Sequence, residues 1–176
     1  MKSLGNFTTH SGKEVTFRYI QKEDAPLLVD LFNRLTFESR RLRFHLYTEK
    51  IPPERIWKEA VNLSTLNPDL HIAVVATVLE DDGQEHAVAV ARFARASVDD
   101  TEAEVAVVVR DDIQRNGLAR KLFEILTKEA CSIGITHFVG WVMAENVRLM
   151  KLIEKLEVPV ESEIRYGQRK IRIPIT

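Results

Sequence analysis

Gln114-Arg115-Asn116-Gly117-Leu118-Ala119 is the stretch of this chain whose residue types and spacing best suit chemistry, and that chemistry is anion binding. It follows Glu104 to Val109, a nearly all β-branched run that reads as a strand, and the polar break Arg110-Asp111-Asp112. An amphipathic stretch that reads as a helix opens near Gly117. The first N–H groups of a helix have no intrahelical partner and lie at the positive end of its dipole, so such a turn attracts phosphate. Gly117 has no Cβ, which lets a diphosphate approach its backbone, and Ala119 keeps the following contact short. The turn has neither the G-x-x-x-x-G-K-[ST] of a P-loop nor the G-x-G-x-x-G of a dinucleotide fold.

The elements around the turn must hold it in place. Upstream, Glu14 to Ile20 alternates Val15, Phe17 and Tyr19 against Thr16 and Arg18, the pattern of a half-buried strand with Arg18 on its polar face. A helix starting near Glu23 to Pro26 carries Leu27, Leu28, Leu31, Phe32 and Leu35 on one face. Pro52-Pro53 opens a further helix, Glu54 to Leu63, with Ile56, Trp57, Ala60 and Val61 as its buried face. His71 to Leu79, Ala87 to Ala96 and Glu102 to Val109 are strands joined by short polar turns, which predicts an antiparallel meander. The helix from Gly117 to Ile133 buries Leu122, Phe123, Leu126, Ala130 and Ile133 and stops at Gly134. His137 to Met143 is then a strand parallel to Glu102–Val109, because a helix connects them. Asn146 caps a last helix with Leu149, Leu152, Ile153 and Leu156 on one face, and Val160 to Arg165 and Lys170 to Ile175 form a terminal hairpin about Tyr166-Gly167-Gln168.

Composition narrows the function classes. At 176 residues and 45% hydrophobic, with no apolar run near the ~20 residues of a membrane span, the chain reads as a single domain, 1–176, with no membrane partner. Twenty-five basic and 26 acidic residues are interspersed, so no basic footprint for nucleic acid exists beyond the local Arg40, Arg41 and Arg43. Met1 to Thr9 shows no secretory pattern, and the single Cys131, read as a packing residue, fits a reducing cytoplasm. The five histidines lack H-E-x-x-H or Cys/His ligand spacing, so no metal is expected.

The Q-R-N-G-L-A turn, after a strand and before a helix, resembles the Q/R-x-x-G-x-G/A acyl-CoA pyrophosphate loop of GNAT-type N-acetyltransferases. The likeness covers about Thr16 to Val158. Ser39-Arg40-Arg41-Leu42-Arg43-Phe44, together with Thr16 to Asp24, is similar to the opening of the acetyltransferase domain of bacterial protein lysine acetyltransferases. The resemblance implies an α/β (α+β) fold with a mixed, mostly antiparallel sheet flanked by helices and a parallel pair around the acyl-CoA loop. It implies acetyl-CoA as co-substrate, bound by Val107, Val108, Val109, Gln114, Arg115, Asn116, Gly117, Leu118, Ala119, Arg120 and Asn146.

Moving an acyl group from a thioester to an amine needs a held acyl-CoA, a neutral amine and a donor for the oxyanion. A lysine-like amine with a pKa near ~10.4 is almost wholly protonated at neutral pH, so a base is required. Glu104 is the candidate: by period two it shares a strand face with Ala106 and Val108, and it heads E-V-A-V-V-V where the resembling family has a catalytic Glu at the head of E-F-A-x-x-V. Glu102 and Asp112 are the fallbacks, and a main-chain N–H near Val105 to Val109 would hold the oxyanion. Many GNAT enzymes follow the capping Asn with N-x-x-x-x-x-x-Y-x-K-x-G-F, whose Tyr protonates the thiolate. This chain keeps Asn146 and Lys155 but has Ile153, Glu157 and Val158 at the Tyr, Gly and Phe positions. A CoA thiolate with a pKa near the ~8.5 of a free thiol can leave unaided or through water. Cys131, about 20 Å along the helix from the loop at ~1.5 Å per residue, is too far for a covalent relay, so direct attack in a ternary complex is expected.

Three functions stay open on sequence: transfer to a protein lysine, transfer to a small-molecule amine, and a non-catalytic acyl-CoA-binding sensor or regulatory module, which the lost Tyr favours. The arginines around Leu42 would repel a polyamine and suit a lysine among acidic residues. The sequence leaves the oligomeric state open, a homodimer among the options.

Overall fold

Alternation of buried Val15 and Phe17 with exposed Glu14 and Thr16 makes Glu14–Tyr19 a strand, the second of eight in one sheet. The computed structural model describes residues 3–45, 47–155 and 158–175. The strands are β1 (Ser3–Thr8), β2 (Glu14–Tyr19), β3 (His71–Leu79), β4 (Glu85–Ala94), β5 (Glu102–Val109), β6 (His137–Met143), β7 (Glu161–Arg165) and β8 (Gln168–Pro174). Their order is β1-β2-β3-β4-β5-β6-β8-β7. Every pairing is antiparallel except β5 with β6, where α4 (Leu118–Ser132) makes the crossover.

Two hydrophobic clusters cover the two faces of this sheet. On one, α4 and α5 (Val147–Glu154) place Leu118, Leu122, Leu126 and Ile153 against Phe17, Phe93 and Phe138. On the other, α1 (Ala25–Arg34) and α3 (Pro53–Ser64) place Leu28, Leu31 and Ala60 against Val75, Val90 and Val108. The short α2 (Phe37–Phe44) is capped by Thr36, whose hydroxyl accepts from the Ser39 N–H, and lies against β5 and β6.

Four expectations change. β1 was not anticipated, because its residues are mostly exposed and carry no alternation; backbone pairing to β2 and the packing of Leu4 and Phe7 on the core make it a strand. Trp57 is 50% exposed, not buried, since α3 packs on α1 through the small Ala60 and Ser64 and turns Trp57 outward. Ile133 lies beyond the end of α4 and is exposed. Arg18 is buried rather than solvent-facing, because its guanidinium forks onto Asp24. The terminal hairpin forms, with β8 rather than β7 joined to β6. Leu156 and Glu157 lie outside the described residues.

Candidate active site

The parallel pair separates early. β5 pairs with β4 from Glu104 to Val109, but with β6 only at Glu102, Ala103 and Glu104. Past Glu104 the strands part, leaving the edge of Val105–Val109 that faces β6 without a strand partner. Unpaired strand edges accept extended ligands through main-chain hydrogen bonds. Gly140 of β6 lies where the parting begins, and a Cβ there would sit 3.7 Å from the Val105 carbonyl oxygen. At the far end the Gln114 amide donates to the Val109 carbonyl at 3.0 Å, and Arg148 of α5 donates to Gln114 Oε1 at 3.4 Å.

Beyond β5 the chain makes a 3₁₀ turn, Asp111–Ile113, and enters α4 through two left-handed residues, Arg115 (φ 63°) and Gly117 (φ 84°). Three side chains lock this loop. Arg110 is buried and forks onto Asp112 at 2.7 and 2.9 Å, with Glu80 of the β3–β4 turn at 2.7 Å. Asn116 accepts from the Ser11 N–H at 3.0 Å and donates to the Ile113 and Gln114 carbonyls. Asp111 accepts from the Ser39 hydroxyl at 2.7 Å and from the Thr36 N–H and hydroxyl at 2.9 and 3.0 Å, which ties α2 to the loop. Burial pushes the Asp111 carboxyl up, but those hydrogen bonds outweigh it and hold it below the usual carboxylate range. The first donor of α4 is Lys121, bonded to the Gly117 carbonyl at 3.1 Å; the N–H groups of Arg115 to Arg120 before it have no protein acceptor among the described residues. That run can hold a diphosphate.

Glu104 is exposed on the α1/α3 face of the sheet and lines a cleft of about 650 Å³ with Asp100, Glu102 and Val139. It has no ion pair or hydrogen bond among the described residues, whereas its two fallbacks are engaged: Glu102 with Arg172 at 2.7 Å, and Asp112 with Arg110. Asn146 caps α5, accepting from the Leu149 N–H at 3.1 Å. Ile153 is buried in the core, so no hydroxyl faces the parting strands from that position. Cys131 is exposed at the last turn of α4, away from the loop, and contacts the Ile175 carbonyl rather than packing in the core.

The arginines of α2 do not form one solvated cationic patch. Arg41 pairs with Glu145 in the β6–α5 turn, so α2 bridges the two parting strands. Arg40 lies 5.3 Å over the Phe32 ring and Arg43 5.0 Å over Phe44, and the Nε atom of each is buried without an acceptor. Burial pushes Arg43 down to about 10, the charge of Arg92 on β4 adds to this, and Glu104 opposes it. Arg92 was missed on sequence, although a charge inside the apolar run Ala87–Phe93 was the available signal.

The model of the Acetyltransferase (GNAT) family matches residues 31–157. The chain belongs to the GNAT acetyltransferase family. Among solved structures, the GNAT domain of the Streptomyces lividans protein acetyltransferase PAT superposes with a TM-score of 0.80 at 22% identity, over 97% of this chain and 96% of that one. A cAMP-binding acyltransferase from Mycobacterium smegmatis matches at 0.64 and 22% identity over 99% of this chain, which spans only 48% of that longer protein. PaiA N-acetyltransferase from Thermoplasma acidophilum, solved with coenzyme A, matches at 0.65 and 14% identity over 91% of this chain and 98% of that one. At these identities the structural likenesses establish the fold, a mixed sheet with one parallel pair. The protein is thus an N-acetyltransferase by family, and the GNAT fold supports acetyl transfer from acetyl-CoA.

In this GNAT chain Gly117 has a second constraint besides ligand approach. A Cβ on it would meet Phe7 Cζ at 3.1 Å and His10 Nε2 at 3.3 Å, so the β1–β2 hairpin packs directly on the glycine. Gly117→Val combines that crowding with a left-handed backbone that β-branched residues resist, and is expected to weaken CoA binding by ~10-fold or more. Calorimetry on the folded variant checks this; an unchanged Kd would remove the loop from the binding site.

Proposed function

We propose that the protein transfers an acetyl group from acetyl-CoA to the ε-amine of a lysine on another protein, by direct attack in a ternary complex. The carrying observation is Glu104, an exposed carboxylate without a partner among the described residues, at the point where β5 and β6 part. In this reading the diphosphate of acetyl-CoA lies on the N–H groups of Arg115, Asn116, Gly117, Leu118, Ala119 and Arg120, and its extended arm pairs with the open edge at Val107, Val108 and Val109. Gln114 and Asn146 shape that slot by fastening Val109 and capping α5. The neutral amine attacks the thioester carbon, Glu104 takes the proton, a β5 main-chain N–H receives the oxyanion, and the thiolate leaves unaided or through water, since Ile153 supplies no acid.

A protein acceptor is favoured by the openness of the acceptor side. Glu102, Glu104, Trp141, Lys170 and Glu161 are all exposed on one face of the sheet. A small amine needs most of its surface buried, whereas a folded protein brings its own. We read residues 1–176 as one GNAT domain, because both core clusters share the same sheet. A cytoplasmic setting suits the lone, unpaired Cys131, and no helix among the described residues is long and apolar enough to cross a membrane.

Radiolabelled acetyl-CoA, a host lysate and a panel of free polyamines test the reading together. Labelling of discrete proteins with little transfer to spermidine is expected. Efficient polyamine acetylation with no protein labelled would instead make this a small-molecule enzyme, and CoA binding without turnover of any amine would make it a sensor.

A further inference from the structure

Arg92 of β4 stands opposite Ala106 of β5, which makes it the diagonal cross-strand neighbour of Glu104 on the same face, within reach of a long side chain. Arg43 is on α2, which packs against β5, and is close enough to feel the charges of Arg92 and Glu104. The Nε atoms of both arginines are buried without an acceptor, and neither guanidinium has an ion pair among the described residues. Two partly desolvated cations near one another are costly unless an anion offsets them. The nearby carboxylate, Glu104, is the proposed base and points to solvent rather than pairing with either.

We infer that Arg43 and Arg92 form a carboxylate-recognition site beside the reacting centre, filled by a carboxylate that a substrate brings with it. This rests on the function proposed above. Each guanidinium presents the fork geometry that carboxylates accept bidentately. The diphosphate of CoA is not the anion, since the chain runs four residues from Ala106 to Arg110, ~13 Å, before the phosphate loop begins. Two sources of the same chemistry remain. One is an acyl group ending in a carboxylate, as in a dicarboxylic acyl-CoA; the other is an acidic residue flanking the acceptor lysine.

Binding measurements separate them. One arm compares succinyl-CoA with acetyl-CoA by calorimetry. The other, with CoA present, compares a lysine peptide flanked by Glu with its Gln twin. A preference of tenfold or more for the carboxylate-bearing member is expected in one arm, which identifies the source, and it should fall to near one in Arg43→Gln/Arg92→Gln. If the double variant does not fold, Arg92→Gln alone should lose at least threefold of the ratio. No preference in either arm of the unaltered protein, or a ratio that survives the substitutions, would overturn the site. Neither arm needs turnover: carboxylate preference in a protein that acetylates nothing supports the site while refuting the function, and acetylation without any preference does the reverse.

Discussion

Glu104→Gln is expected to lower kcat by about 10² to 10⁴ at neutral pH while leaving CoA affinity unchanged. Gln preserves the shape of the side chain and removes its capacity to accept a proton, and because Glu104 has no ion pair or hydrogen bond among the described residues, its replacement strands no partner. The comparison that gives the result meaning is with Glu102→Gln and Asp112→Asn. Those carboxylates are already held by Arg172 and Arg110, so their loss should disturb local structure more than proton transfer. The deficit should shrink as pH rises toward the ~10.4 of a lysine, where the amine loses its proton without help. Steady-state rates from pH 7 to 10 with saturating acetyl-CoA check both statements. A Glu104→Gln protein that keeps most of its turnover at pH 7 would take the base away from this residue.

The parts of this site visible in the sequence are those written in local pattern. The three-strand meander follows from apolar runs separated by Asp81-Asp82-Gly83 and Ser97 to Thr101, and α4 from its heptad-like spacing after Gly117. The same patterns predict that β5 and β6 are parallel. They are silent on where the pairing ends, because both strands continue past Glu104 with the same residue types while their backbones diverge. Contacts between distant segments are equally silent. Nothing near Gly117 announces that Phe7 and His10 will press on it, and the spacing of Arg40, Arg41 and Arg43 suggests a shared solvent face until Glu145, Phe32 and Phe44 draw them apart. Period-two reading of β2 sends Arg18 to solvent for the same reason, since its partner lies six residues ahead in a different element.

That partner carries the largest expected effect on stability. Asp24→Ala should destabilise the protein by about 3–5 kcal/mol, the range for breaking a buried ion pair from one side. Arg18 and Asp24 are 4% and 8% exposed, and they meet as a fork, Nη1 to Oδ2 at 2.7 Å and Nη2 to Oδ1 at 2.9 Å. Asp24 also accepts from the Gln21 N–H at 2.7 Å, so one carboxylate fixes both the arginine and the entry into α1. Without it Arg18 retains the Tyr19 carbonyl at 3.4 Å and Glu85 at 3.2 Å, whose side chain is 45% exposed and already accepts from Thr77, which places the expected loss toward the lower end of the range. For a chain of this length that is a fall in Tm of roughly 6–12 °C. Arg18→Met/Asp24→Leu distinguishes a lost attraction from a stranded charge: it leaves no buried ion to desolvate and is expected to recover most of the single variant's deficit. Urea unfolding of the three proteins measures both differences. A loss under 1 kcal/mol for Asp24→Ala, or a double variant less stable than the single one, would mean that Glu85 and solvent suffice for Arg18 and that the fork does not anchor α1 to β2.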